Sequence, residues 1–286
     1  MDNPGFFADA NASLSDAKFV FCGVSYDETS TFRKGAAQAP KHIRSASWNF
    51  ETFNLNTGVD LQDLDIHDYG DIDVKGLQAK DMTTKVTSSL LPIISSGKFP
   101  LVMGGEHSIT PGVVRCFPKD IAVVSLDAHL DFRQQYESDP WNHACVMKRI
   151  ADHLPVSSLA VLGIRSAEQQ EMEEAKQNNL FIIDAFDIKK QGWGKVLNQT
   201  KQYLLGKPVY LTIDIDVVDP AFAPGTSTPE PFGLSPYEIV ECIEVFAPHL
   251  VGCDLVEVCP SYDHGQTALL AARLLRWVVD AVSQHA

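Results

Sequence analysis

The chain alternates short apolar runs with longer amphipathic stretches, a pattern that predicts strands and helices in turn. The apolar, β-branched runs predict strands at Lys18–Val24, Phe99–Met103, Ile121–Leu126, Leu159–Ile164, Leu180–Ile183, Pro208–Ile213 and Val251–Val256. The amphipathic stretches predict helices at Ala39–Ser47, Gln78–Ser96, His143–His153, Ala167–Asn178, Pro236–Phe246 and Thr267–Gln284. Strand–helix alternation of this kind is the signature of an α/β protein, a three-layer α/β/α sandwich with a mostly parallel central sheet. The segment Pro220–Gly233 (PAFAPGTSTPEPFG) is rich in Pro and Gly but too central to be a linker, and it reads as an ordered loop over a site. One domain is expected over residues 1–286.

Polar clusters follow the apolar runs at one recurring position. Gly104-Gly105-Glu106-His107-Ser108 follows Phe99–Met103, and Asp127-Ala128-His129-Leu130-Asp131 follows Ile121–Leu126. Asp214-Ile215-Asp216 follows Val209–Ile213, and Glu257 follows the run ending at Val256. Residues spaced by two on extended chain point to the same face, so the second cluster can aim Asp, His and Asp at one point. In open α/β sheets the carboxyl ends of the strands form the ligand-binding edge. Four carboxylates converging there cannot all stay ionised without a cation, because like charges raise one another's pKa. Two divalent metals would offset them, and the mixed imidazole and carboxylate donors suit Mn²⁺. Taken singly, each cluster is ambiguous: a lone His can cap a helix, and Asp at a strand end often makes a turn. The clusters acquire meaning together.

Composition narrows the remaining classes. The 286 residues suffice for a sizeable core, and 45% hydrophobic with 21% charged residues is ordinary for a globular enzyme. A formal net charge of −14 with no basic run argues against nucleic acid as a partner. The six cysteines (Cys22, Cys116, Cys145, Cys242, Cys253, Cys259) are scattered without a CxxC pair, so free buried thiols are expected rather than a disulfide framework. The start of the chain, MDNPGFFADANASL, lacks a basic segment followed by an apolar one, and no run approaches membrane-spanning length. A cytoplasmic protein without a membrane partner is the expectation.

The motifs GGEHS, DAHLD and Thr212 to Pro220 (TIDIDVVDP) resemble the three metal motifs of the ureohydrolases, the arginase/agmatinase family. The resemblance runs through nearly the whole chain. It takes in Gly23 to Asp27, Arg33-Lys34-Gly35, Pro40 to Arg44, Gly163 to Ser166, the PGTSTPEP loop, Gly252 to Val258 and Thr267 to Ala272. The last part looks more like the agmatinase branch than the arginase branch. The resemblance implies an arginase-like fold and two Mn²⁺ per subunit. His107, Asp127, Asp131 and Asp214 would surround one ion. Asp127, His129, Asp214 and Asp216 would surround the other, with Asp127 and Asp214 bridging. It further implies that Asp131 moves a proton from the attacking water to the departing amine, that His143 relays protons, and that Glu257 holds the guanidinium. His264 reads as structural. Homo-oligomers, trimers or hexamers, are also implied.

The substrate would be a small cationic guanidino compound split into urea and an amine. The loop from Phe132 to Asn142 (FRQQYESDPWN) is expected to choose among guanidines. It does not match the arginase loop; Glu137 and Asp139 would meet a distal ammonium, whereas Arg133 would favour a carboxylate. Ser227 and Phe232 stand where family members commonly have glycine. Agmatine, giving putrescine, is the first expectation, with N1-aminopropylagmatine as its rival and arginine or a guanidino acid behind them. A catalytically silent relative that keeps the fold is the reading of another class.

Overall fold

The computed structural model describes residues 5–285; the first four residues and Ala286, which the domain expected over 1–286 includes, lie outside them. Eight strands form one sheet: β1 Phe19–Gly23, β2 Ile66–Asp71, β3 Phe99–Met103, β4 Ala122–Leu126, β5 Leu159–Ile164, β6 Phe181–Asp184, β7 Val209–Asp214 and β8 Leu250–Val256. Their order is β2-β1-β3-β8-β7-β4-β5-β6, and every neighbouring pair is parallel. The expected mostly parallel sheet is thus wholly parallel. Parallel neighbours need crossover connections, which is why helices separate the strands and cover both faces. The central strands β3, β4, β5 and β7 are buried at every position.

The helices are α1 Ala39–Ser47, α2 Ala79–Ser95, α3 Thr110–Val114, α4 Val146–Ala151, α5 Gln169–Gln177, α6 Ala185–Gln191, α7 Trp193–Tyr203, α8 Pro236–Phe246 and α9 Gln266–Ser283. Alternation along the strands divides the core. Val124 joins Ile43 of α1, Val196 of α7, Ile239 of α8 and Leu275 of α9 on one face. Val123 joins Val86 of α2, Val113 of α3, Met147 of α4 and Ala175 of α5 on the other. The result is the three-layer sandwich that the alternation predicts.

The departures have local causes. Strand β2 reads Ile-His-Asp-Tyr-Gly-Asp, mostly half-exposed, because it is an edge strand bonded only to β1; no apolar run betrays it. The helix expected over His143–His153 is split into a 3-10 turn, His143–Cys145, and then α4. Asn142 caps the turn by accepting from Ala144 N, and Cys145 at φ −123 interrupts helical geometry before Val146. Helices α6 and α7 escape the apolar-run reading because Gly192 at φ 88 breaks a single stretch into two short amphipathic pieces.

Candidate metal centre

The carboxyl ends of β3, β4, β7 and β8 are level. Met103 pairs with Leu255, Leu126 with Ile213, and Asp214 with Val256. The polar clusters that follow these strands therefore meet on one edge. After β3 the chain turns sharply at Gly105, where an added Cβ would lie 1.9 Å from Tyr26 O. Only glycine permits that approach, and it delivers Glu106 N to Tyr26 O at 2.8 Å and His107 to the edge. Glu106 itself belongs to neither group of candidate metal ligands. Buried, it accepts from Thr29 N, Thr29 Oγ1, Ser30 Oγ and Ser108 Oγ and fastens the loop beside the site.

The donors fall into two triads. His107, Asp127 and Asp214 have ligand atoms within 4.8 Å of one another, as do Asp127, His129 and Asp216. Asp127 belongs to both. Asp214 joins the first triad, where its Oδ2 lies 3.3 Å from His107 Nδ1. Asp131 stands just outside the triads with Oδ2 3.5 Å from the same nitrogen, on backbone at φ 51. His129 Nδ1 lies 3.0 Å from Asp216 Oδ2. All six residues expected as ligands are thus gathered at one place.

The electrostatics are those of a site short of positive charge. Burial raises the carboxyl of Asp127 to about 7, and the charge of Asp131 adds to the rise. Burial and the charges of Asp216 and Asp127 push Asp214 well above its ordinary value. Burial also opposes ionisation of Asp216, yet the adjacent His129 ring holds it at about 2. Burial disfavours protonation of His107, but the carboxylates of Asp127, Asp131 and Asp214 outweigh it and raise its pKa. Two atoms are left over: His107 Nδ1 and Asp127 Oδ2 are buried 3.2 Å apart, and neither finds a hydrogen bond. A buried polar atom without a partner calls for an explanation, and a divalent cation between imidazole and carboxylate supplies one. The residues present fit such an ion.

Support behind the donors is equally ordered. His107 Nε2 lies 3.0 Å from Thr212 Oγ1, which donates to Asp254 Oδ1 at 2.5 Å; Tyr210 OH donates to Asp254 Oδ2 at 2.7 Å. This chain holds the ring so that Nδ1 faces the cluster. Thr212 and Asp254 do not stand out when motifs are read one at a time. Two signals point to them: Thr212 shares its strand face with Asp214, and Asp254 is a lone carboxylate inside the apolar run of β8.

A cavity of about 170 Å³ opens over the cluster, lined among others by His129, Asp131, His143, Asp214, Thr228 and Glu257. His143 Nδ1 lies 3.5 Å from Glu257 Oε1, and its Nε2 lies 3.3 Å from Thr31 Oγ1. Burial disfavours the charged imidazole, but Glu257 raises it to about 9. Burial likewise opposes the Glu257 carboxylate, and His143 and Ser227 pull its pKa down. The three residues expected to handle substrate and protons, Asp131, His143 and Glu257, thus line one cavity. Thr228, from the PGTSTPEP loop, and Thr31, which no motif announces, also line it. His264 is exposed and lines no part of it.

Comparison with known proteins places this geometry. The Arginase family model matches residues 17–279. The chain is 37% identical to the N(1)-aminopropylagmatine ureohydrolase of Thermococcus kodakarensis, over 94% of this chain and 92% of that protein. It is 33% identical to the agmatinase of Bacillus anthracis, over 94% and 93%. The solved structure of the agmatine ureohydrolase of Thermoplasma volcanium superimposes with a TM-score of 0.94 at 38% identity, covering 98% of this chain and 94% of that one. The chain belongs to the arginase/agmatinase family of ureohydrolases, metal-dependent hydrolases that act on C–N bonds of guanidino compounds.

Proposed function

We propose that the chain hydrolyses agmatine to putrescine and urea with two Mn²⁺ per subunit. The observation that carries this reading is the pair of donor triads sharing Asp127 beneath a cavity that ends in Glu257. His107, Asp127, Asp131 and Asp214 would hold one ion and Asp127, His129, Asp214 and Asp216 the other, with Asp127 and Asp214 common to both. When bound, the ions supply Lewis acidity and make water acidic enough to attack at neutral pH. Glu257, its carboxylate kept ionised, holds the guanidinium by charge-assisted hydrogen bonds and fixes its carbon over the cluster. Asp131 takes the proton of the attacking water and hands it to the departing amine nitrogen. His143, poised by Glu257 and Thr31, carries protons between that nitrogen and solvent.

A second reading is a longer substrate, N1-aminopropylagmatine. It is favoured by a further cavity of about 410 Å³ that shares Arg133, Tyr136 and Glu171 with the first and is lined beyond them by Glu137, Glu168 and Glu174. Arg133 is not free to attract a carboxylate outright. Its Nε donates to Glu171 Oε2 at 3.3 Å and its guanidinium lies 4.7 Å from the Tyr136 ring centroid. Glu137 and Asp139, the loop carboxylates expected to meet an ammonium, differ in place: Glu137 lines the second cavity, whereas Asp139 is tied to Trp141 N at 2.8 Å.

The whole chain would act as one catalytic unit in a cytoplasmic homo-oligomer, a trimer or hexamer; among the described residues no helix is long and apolar enough to cross a membrane. Exposed Phe186 and Phe232, with ring centroids 6.2 Å apart, offer apolar surface for such an assembly. The deciding experiment is urea release from agmatine, N1-aminopropylagmatine, arginine and 4-guanidinobutyrate by chelated protein resupplied with Mn²⁺. Agmatine should give the highest kcat/KM. Full activity after exhaustive chelation would refute the metal assignment, and silence on every guanidine would favour an inactive relative.

A further inference from the structure

Glu257 is the meeting point of three segments. Its Oε1 accepts from the backbone N–H of His107 at 2.7 Å and faces His143 Nδ1 at 3.5 Å. Its Oε2 accepts from the hydroxyl of Ser227. The residue sits on backbone at φ 65, in the left-handed region that non-glycine residues seldom adopt. That turn takes the carboxylate out of the line of β8 and into the cavity over the metal centre.

Ser227 is fully buried, and its place is set by backbone rather than by chance packing. Thr226 forms an antiparallel bridge with Val258, and Cys259 N donates to Gly225 O at 2.7 Å. The loop is therefore laced to the segment just beyond Glu257, with the serine hydroxyl facing the carboxylate. Cys259 Sγ, 3.4 Å from Ser227 Oγ, is a far weaker acceptor than an ionised carboxylate. A glutamate terminus rotates broadly about its last torsion unless both oxygens are held. Two-pronged recognition of a planar guanidinium requires that plane to be fixed.

We infer that Ser227 is a positioning residue that fixes the plane of the Glu257 carboxylate for the substrate guanidinium, and so governs affinity more than turnover. This rests on the reading of Glu257 as the guanidinium holder. Oε2 keeps a lone pair for the ligand after accepting from Ser227, so the serine orients Glu257 without consuming it.

The test compares the manganese-loaded wild type with Ser227→Ala and Ser227→Thr. In Ser227→Ala, KM for agmatine should rise about tenfold, the scale of one hydrogen bond to a charged group, with kcat within about twofold. By calorimetry the Kd of propylguanidine should rise by the same factor and that of putrescine should not. Ser227→Thr, which keeps the hydroxyl, should restore most of the affinity. Metal content and Tm should match wild type. Unchanged KM and propylguanidine Kd in Ser227→Ala would overturn the inference, as would kcat, Tm and affinity falling together. If wild type releases no urea from any guanidine, the parent reading falls, and propylguanidine binding alone decides the role of Ser227. Absence of that binding in both proteins overturns both.

Discussion

Two clusters of carboxylates in this molecule, one at an exposed sheet edge and one buried, answer the same electrostatic problem in opposite ways. Beside the edge of the sheet, Asp68 and Asp71 close on Arg44. The guanidinium reaches Asp68 through Nε at 2.7 Å and Nη2 at 2.9 Å, and Asp71 through Nη1 at 2.5 Å. Burial disfavours the Arg44 charge, yet the two aspartates raise its pKa above the ordinary arginine value. That cluster is self-sufficient. At the carboxyl ends of β4 and β7, Asp127, Asp214 and Asp216 have imidazoles as their only ion-pair partners among the described residues, and two buried ligand atoms, His107 Nδ1 and Asp127 Oδ2, remain unpaired. The first arrangement holds a fold together; the second holds a place for something the chain does not encode. An internal guanidinium marks structure, and its lack among so many carboxylates marks function.

The contrast is broken most decisively by Asp127→Asn. Removing one charge from the needy cluster should lower Mn²⁺ affinity at least about 100-fold and abolish urea release. The same change should leave the metal-free protein about 1 kcal/mol more stable, because a buried repulsion is relieved. Metal titration and denaturant unfolding of the apo-protein check both signs. At the other cluster, Arg44→Met should cost about 3 kcal/mol of stability by stranding the buried Asp68 carboxylate, the exposed Asp71 being solvated, while Mn²⁺ affinity of the folded protein stays as it was. If both substitutions moved stability in the same direction, the distinction between the clusters would fail.

Subtler changes sharpen it. Asp254→Asn loosens Thr212 and the His107 ring and should weaken Mn²⁺ binding about 10–100-fold without removing a ligand. The pH dependence of metal binding has a definite sign. Asp127 titrates near 7 and His107 above its ordinary value, so near neutrality the metal-free site retains protons that the ion must displace. Mn²⁺ affinity should therefore rise from pH 6 to pH 8, with proton release visible as a buffer-dependent heat in calorimetry. The smallest effect is expected from Thr31→Val, which removes the 3.3 Å contact to His143 Nε2. A loss of about 1 kcal/mol, roughly fivefold in kcat, with metal content unchanged would fit.

What the sequence disclosed follows from how strongly each feature is written into local pattern. Central strands such as Ala122–Leu126 are buried on both faces, so they read as unbroken apolar runs, and the donors come immediately after them. The edge strand Ile66–Asp71 carries polar Asp68 and Asp71, which serve Arg44, so it presents no apolar run from which a strand can be read. Donors spaced by two on one strand end are legible from a single segment. Partners from distant segments are not: Thr212 lies in register beside Asp254, and Ser227 meets Glu257, only once the sheet and its loops are assembled.

The position of β8 has a consequence for how the protein comes into being. The last strand of the chain lies in the middle of the sheet, between β3 and β7. It is the strand that joins β2-β1-β3 to β7-β4-β5-β6. Asp127, His129 and Asp216 all belong to the second half, so that triad can close as soon as β7 is made. His107 belongs to the first half and is brought to Asp127 and Asp214 only by the closing strand, which also delivers Glu257 across 150 residues of sequence. The two donor triads therefore differ in what completes them: one needs only the half-sheet ending in β7, the other needs both halves and the high-contact-order strand between them.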